Sequence, residues 1–205
     1  MFTLLPEAAA QLTRAQFGEL MQTVRWLDSK NIRYREKVRL PGEREPWMMD
    51  CSNTVRYIAQ DAWGLEISRV ASGQYWELDQ VGRITRAPWH NGKVDTEKLL
   101  DQMASGDLVF WEWTYDIKRS PPITHVMIYL GRDQKGIPRM AGSSSGRAGG
   151  VGIYRFDPNA DMGGVRSMLG GYKHKARFVG FGRLFEMTDH GQSVATLPSA
   201  VTKVH

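Results

Sequence analysis

Apolar residues recur at helical spacing in the first half of the chain and gather into short β-like runs in the second. Phe17, Leu20, Met21, Val24 and Leu27 fall on one helical face. Thr13 followed by Gln16 predicts a capping box, with Leu12 and Phe17 placed as a hydrophobic staple. Residues 29–49 are polar and rich in Arg, Glu, Pro and Gly, which reads as a loop ending in the apolar segment Pro46-Trp47-Met48-Met49. After Asp50-Cys51-Ser52, the residues Val55, Ile58, Ala59, Ala62 and Trp63 return at helical spacing, and Gly64 supplies a stop. Cys51 is thereby placed at the amino end of a buried helix. A short helix is expected over 72–80 and another near 97–103. Residues 82–95, with Pro88 and Asn91-Gly92, read as irregular.

From Leu108 onward the period changes. Strands are predicted over Leu108–Trp113, Thr124–Leu130, Pro138–Gly142, Val151–Phe156 and Arg177–Phe185, separated by Gly and Ser clusters such as Gly142–Gly150. Helices followed by a meander of strands predict an α+β domain, with helices packed on an antiparallel sheet. At 205 residues one core is expected, and there is no internal repeat. Residues 1–30 read as a helical segment packed on the same domain, 31–187 as the main body, and 188–205 as a flexible tail.

Composition narrows the function classes. Hydrophobic residues at 41% and charged residues at 24% exclude wholesale disorder. The net charge of +5 favours an acidic partner, but the basic residues are dispersed, so no nucleic-acid stripe is expected. A single Cys excludes an internal disulfide. No run reaches the length of a membrane span. The start MFTLLPEAAAQLTRAQ is a poor signal peptide, with no basic leading region and a short apolar run.

The lone thiol is where chemistry is expected. A free Cys is mostly protonated at neutral pH, and a helix amino terminus together with a nearby imidazole favours the thiolate. Cys51 has the first aid, and His125 on a predicted strand is the best candidate for the second. Set against this, free Cys is often an inert buried hydrophobe and a strand His is often merely hydrogen-bonded. Residue types alone leave the two readings even. His90, His174, His190 and His205 read as surface residues. No zinc or calcium spacing occurs, and the Gly-rich stretch 146–152 lacks the Lys and helix of a phosphate-binding loop.

Four motifs then carry a family resemblance. Trp47-Met-Met-Asp-Cys-Ser52 with its following helix, Ile67-Ser-Arg-Val-Ala-Ser-Gly-Gln74, Ser105-Gly-Asp-Leu-Val-Phe110 and Thr124-His-Val-Met-Ile-Tyr-Leu-Gly131 resemble, in order, the motifs of NlpC/p60-type cell-wall cysteine peptidases. The likeness runs over roughly residues 32–156. It implies a papain-like α+β fold in which a Cys–His pair lies where the nucleophile helix meets a central antiparallel sheet. It also implies hydrolysis of amide bonds in peptidoglycan stem peptides, of the D-glutamyl to diamino-acid type, with no metal or cofactor. Carried over by position, Cys51 is the nucleophile and His125 the base, within a catalytic domain over 31–187. Asp50, Ser52 and Ser72 match substrate-contacting positions, and Tyr34 matches a tyrosine near the oxyanion site. For Asp50 and Ser72, plain helix capping is expected alongside any such role.

One departure from the family stands out. Its third polar residue falls near Met140, which cannot orient an imidazole, so a serine of Ser143–Ser145, with Ser143 as first choice, or a backbone carbonyl is expected there. Arg69 and Arg147 are candidates to pair with a substrate carboxylate. Extra length at 111–122 and 159–175 reads as lids over the cleft. The resemblance places the protein in the cell envelope or outside the cell, with delivery as an effector left open. It leaves two further readings: a Cys–His amidase or acyltransferase on another substrate, and a catalytically silent peptidoglycan-binding module.

Overall fold

The computed structural model describes residues 12–146, 149–187 and 192–195. Helix α1 (Arg14–Asp28) begins with the expected capping box: the Thr13 hydroxyl accepts from the Gln16 amide at 3.2 Å, and the Gln16 side chain accepts from the Thr13 amide at 2.8 Å. Its apolar face buries Leu20, Val24 and Leu27. Thr23 donates to Asp61 at 2.7 Å, tying α1 to α2 (Cys51–Trp63). Asp50 is the N-cap of α2, and Gly64, in the left-handed region at φ 66°, ends it. Helix α3 (Ala71–Gln80) follows, and α4 (Thr96–Leu100) is the short helix expected near 97–103.

Residues 82–95 are more ordered than their composition predicts. They form β1 (Ile84–Arg86) and a hairpin of β2 (Trp89–His90) and β3 (Lys93–Val94). Asn91 and Gly92, both at positive φ, make the two-residue turn that an Asn-Gly pair favours. The Asn159 side chain closes on this hairpin, accepting from the Val94 amide at 2.8 Å and donating to the Val94 carbonyl at 3.0 Å.

The remaining strands are β4 (Leu108–Glu112), β5 (Ile123–Arg132), β6 (Pro138–Ser144), β7 (Gly150–Arg155), β8 (Gly164–Arg166), β9 (Tyr172–Lys175), β10 (Arg177–Gly182), β11 (Phe185–Met187) and β12 (Ser193–Ala195). Five of them join β1 in a six-stranded antiparallel sheet of order β1-β10-β4-β5-β6-β7. β4 to β7 are the expected meander, while β10 returns from late in the chain to lie beside β4. Two elements depart from expectation. The segment read as a lid over 159–175 contains the β8–β9 hairpin, and Ser193–Ala195, placed in the tail, pairs with β11. The rest of that tail, with His190 and His205, and residues 1–11 of the leading segment lie outside the described residues.

Strand alternation divides the core between the two faces of the sheet. Phe110, Val126, Ile128 and Ala141 face α1, α2 and α3, where Leu27, Val55, Ile58 and Leu78 complete the first cluster. Trp111, Met127, Tyr129 and Met140 face the other way, onto Phe156, Phe178 and Phe181. Among the described residues no helix is long and apolar enough to cross a membrane.

Candidate active site

Cys51 is the first residue of α2 and is only 5% exposed. Its position is held from both sides. Asp50 Oδ1 accepts from the Asn53 amide at 2.7 Å, from the Asn53 side chain at 3.0 Å and from the Ser52 hydroxyl at 3.2 Å, which fixes the start of the helix. The preceding residue is anchored by Ser143, whose fully buried hydroxyl donates to the Met49 carbonyl at 2.8 Å. The segment 67–74 braces α2 from α3: the Gln74 amide nitrogen donates to the Ser52 carbonyl at 3.0 Å and to the Ser68 carbonyl at 2.8 Å. Gly73 makes this approach possible, because a Cβ there would lie 2.0 Å from Ser68 Oγ.

The Cys51 sulfur lies against the backbone of β5. It sits 3.9 Å from the Thr124 carbonyl, to which the thiol donates, and it accepts from the Val126 amide. These are the two peptide groups that flank His125. A register shift in the β4–β5 ladder falls at this point, where Trp111 faces His125 and Glu112 faces Ile123. Thr124 at the irregularity is pinned by Thr114, whose amide and hydroxyl donate to its hydroxyl at 2.8 and 2.9 Å.

His125 is brought to the same point of the strand, but its ring belongs to the other face of the sheet. It packs on Trp111 with ring centroids 5.4 Å apart and makes no hydrogen bond to Cys51. Its Nε2 is buried without a partner. The two groups thus meet through the β5 backbone, with no hydrogen bond joining sulfur to imidazole. Ser143, expected to orient the imidazole, holds the strand entering α2 instead. Met140 lies among the aromatic side chains of the second cluster.

Electrostatics follow from burial. The helix start was expected to favour the thiolate. Burial instead pushes the Cys51 thiol up to about 12, reinforced by the Asp50 carboxylate and opposed by the amides of Val126, Ser52 and Cys51 itself. Burial holds the His125 imidazole down to about 4. At neutral pH both groups are neutral, so the resting pair is not a thiolate–imidazolium ion pair.

Tyr34 and Tyr115 stand near Cys51. Both phenols are raised by burial and then by the neighbouring Cys51, with Arg119 donating to the Tyr115 hydroxyl. Tyr115, on the loop after β4, is a site residue that sequence reasoning missed. That loop is tied to the β8–β9 hairpin by Trp113, stacked on His174 at 4.0 Å, so His174 is not the plain surface residue expected. Ser72 is buried in the first turn of α3, while His90 is exposed as expected. Arg69 is exposed, and Arg147 lies outside the described residues. Among the described residues no three His, Cys, Asp or Glu side chains converge as a metal site.

Residues 39–138 match the model of the NlpC/P60 family. This stretch is of the NlpC/P60 type. The matched segment contains Asp50, Cys51, Ser52, Ser72 and His125, while Tyr34 and Ser143 lie outside it. A solved structure described as similar to lipoprotein, NLP/P60 family, from Staphylococcus aureus superposes over 88% of this chain with a TM-score of 0.51 and 18% identity. At that identity the likeness is one of fold, and with the family match it makes this NlpC/P60 domain a papain-like α+β fold. The chain spans 45% of the length of that protein. No curated protein matches the sequence.

Proposed function

We propose that this NlpC/P60 domain is a cysteine hydrolase of the cell envelope or its exterior that cleaves amide bonds in peptidoglycan stem peptides, of the D-glutamyl to diamino-acid type. The observation that carries this reading is the seat of the Cys51 sulfur, at a helix start and against the two peptide groups that flank His125. The family match supports the substrate class.

In this mechanism β5 shifts at the ladder irregularity beside Thr124 as substrate fills the cleft, so that the His125 ring leaves Trp111, reaches the sulfur and takes the thiol proton. The thiolate attacks the amide carbonyl carbon, and the oxyanion is met by the first-turn N–H groups of α2, with the Tyr34 hydroxyl as a further donor. His125 returns the proton to the leaving amine, and water then hydrolyses the thioester to release the acid and regenerate the thiol. Asp50 and Ser52, already bonded to each other at 3.2 Å, present a carboxylate oxygen and a hydroxyl to the amino end of the substrate, beside Ser72.

The test is to incubate the protein and its Cys51→Ala variant with muropeptides and a thiol-directed probe. The wild type is expected to release products, and the variant to lose activity on the order of 10³-fold or more. Equal product release by the two removes the reading. A second reading, a silent peptidoglycan-binding module, draws on the neutral thiol and the partnerless Nε2 of His125. An unreactive Cys51 with retained muropeptide binding favours it.

A further inference from the structure

The loop between α1 and α2 forms two adjoining cavities, of about 400 and 320 Å³, which share Asn31, Arg33 and Arg35. Lys30 and Trp47 line the larger, and Tyr34 and Ser145 the smaller. Among the described residues Glu45 is the one carboxylate lining either cavity. Among the described residues, no carboxylate forms an ion pair with Lys30, Arg33 or Arg35. Arg35 Nη1 donates to the Tyr34 carbonyl at 2.9 Å, and the guanidinium groups, with no carboxylate partner on this concave surface, favour an oxyanion because their planar donors bond carboxylates in pairs.

The cavities adjoin the segment that enters the nucleophile helix. The Arg33 carbonyl accepts from the Met49 amide at 3.1 Å, which places this wall two residues ahead of Cys51 in the strand-like segment entering α2. The Ile32 carbonyl accepts from the Val151 amide at 2.8 Å, so the loop is clamped to β7 as well. Tyr34 lines the smaller cavity and is close enough to Cys51 for the two to interact electrostatically, so a ligand lying across Tyr34 extends from the cationic groove toward the thiol.

We infer that Arg33 and Arg35 form a subsite for a free carboxylate of the peptide substrate, so that the domain selects carboxylate-bearing stem peptides over their amidated forms. This deepens the proposed hydrolase reading and rests on it for the identity of the peptide, but it concerns binding and is testable without turnover.

The experiment titrates a γ-D-glutamyl-diamino-acid dipeptide into Cys51→Ala protein by calorimetry at low salt. The free-acid form, its α-amide and inorganic phosphate are compared. The same series is repeated with Arg33→Gln/Arg35→Gln added; both arginines are exposed, and a circular-dichroism melt confirms that the variant remains folded. The expected result is at least tenfold tighter binding of the free acid than of the amide, with the preference lost in the arginine variant. Equal binding of acid and amide, no binding of either, or a preference that survives the double substitution overturns the inference. Arginine-dependent binding of phosphate without any preference between the peptides also overturns it. Arginine-dependent peptide binding in a wild type that never cleaves muropeptides would leave the subsite standing and remove the hydrolase alone.

Discussion

The two faces of the central sheet are built for different tasks. The helix-side face is mainly aliphatic and held by a net of hydrogen bonds: Ser143 to Met49, Gln74 to Ser52 and Thr23 to Asp61 all fix where α1, α2 and α3 sit. The opposite face is aromatic, with Trp111, Phe156 and Phe178 in edge-to-face contact, and it relies on shape. Cys51 belongs to the first face and the His125 ring to the second, and β5 is the boundary between them. Polar bonds fix α2 in place, whereas the orientation of the imidazole depends on packing against a ring.

The largest effect is expected from Trp111→Ala, which removes the fully buried ring beneath His125 and should destabilise the fold by about 3–5 kcal/mol in urea unfolding. A loss below 1 kcal/mol would show that the aromatic face is not a packed layer. Next, Ser143→Ala leaves the buried Met49 carbonyl without its partner and should cost about 1–3 kcal/mol, read as a lowered Tm. An unchanged Tm would break the claim that hydrogen bonds fix the helix side.

Titration sharpens the same contrast. The Cys51 thiol is raised from 9.0 to about 12 in the folded protein, so the unfolded chain loses its proton first as pH rises. Stability should fall between pH 9 and 12 with a Cys51 contribution approaching about 1.4 kcal/mol per pH unit; Cys51→Ala should make the fall shallower by that share, leaving above pH 10 the part that comes from buried tyrosines such as Tyr129, raised to about 12. The smallest effect lies in acid. His125 is lowered from 6.5 to about 4, so stability from this group rises with pH across that window. Asp107 is raised by burial from 3.8 to about 7, against the pull of Arg183, so its contribution falls as pH rises over nearly the same range. The two offset each other in the wild type. In His125→Phe, stability followed by denaturant melts should decline from pH 4 to 7, and a flat profile would contradict the Asp107 shift.

Much of this was legible in the residues. The capping box of α1, the start of α2 at Cys51, its stop at Gly64 and the strands from Leu108 to Phe156 follow from local pattern, because each rests on neighbours in the chain. What was not legible depends on distant partners. β10 returns to pair with β4, β12 pairs with β11, and β1 is a strand only because β10 accepts it. At the site, the motifs located Cys51 and His125 on the correct elements. The face taken by the His125 ring, however, is set by the ladder irregularity at Thr124 and by Trp111. Ser143, expected to orient the imidazole, bonds the Met49 carbonyl instead, since a buried hydroxyl takes whichever acceptor the fold brings to it. Tyr115 and the Trp113–His174 stack went unseen because they join loops far apart in sequence.

The Asn159 carboxamide, bonded to both the amide and the carbonyl of Val94, has a consequence for solubility. It satisfies both main-chain groups of Val94 just as a neighbouring strand would, and so occupies a position at which a foreign chain would otherwise align. With that place filled by one side chain, the β2–β3 ribbon is a poor template for edge-to-edge association.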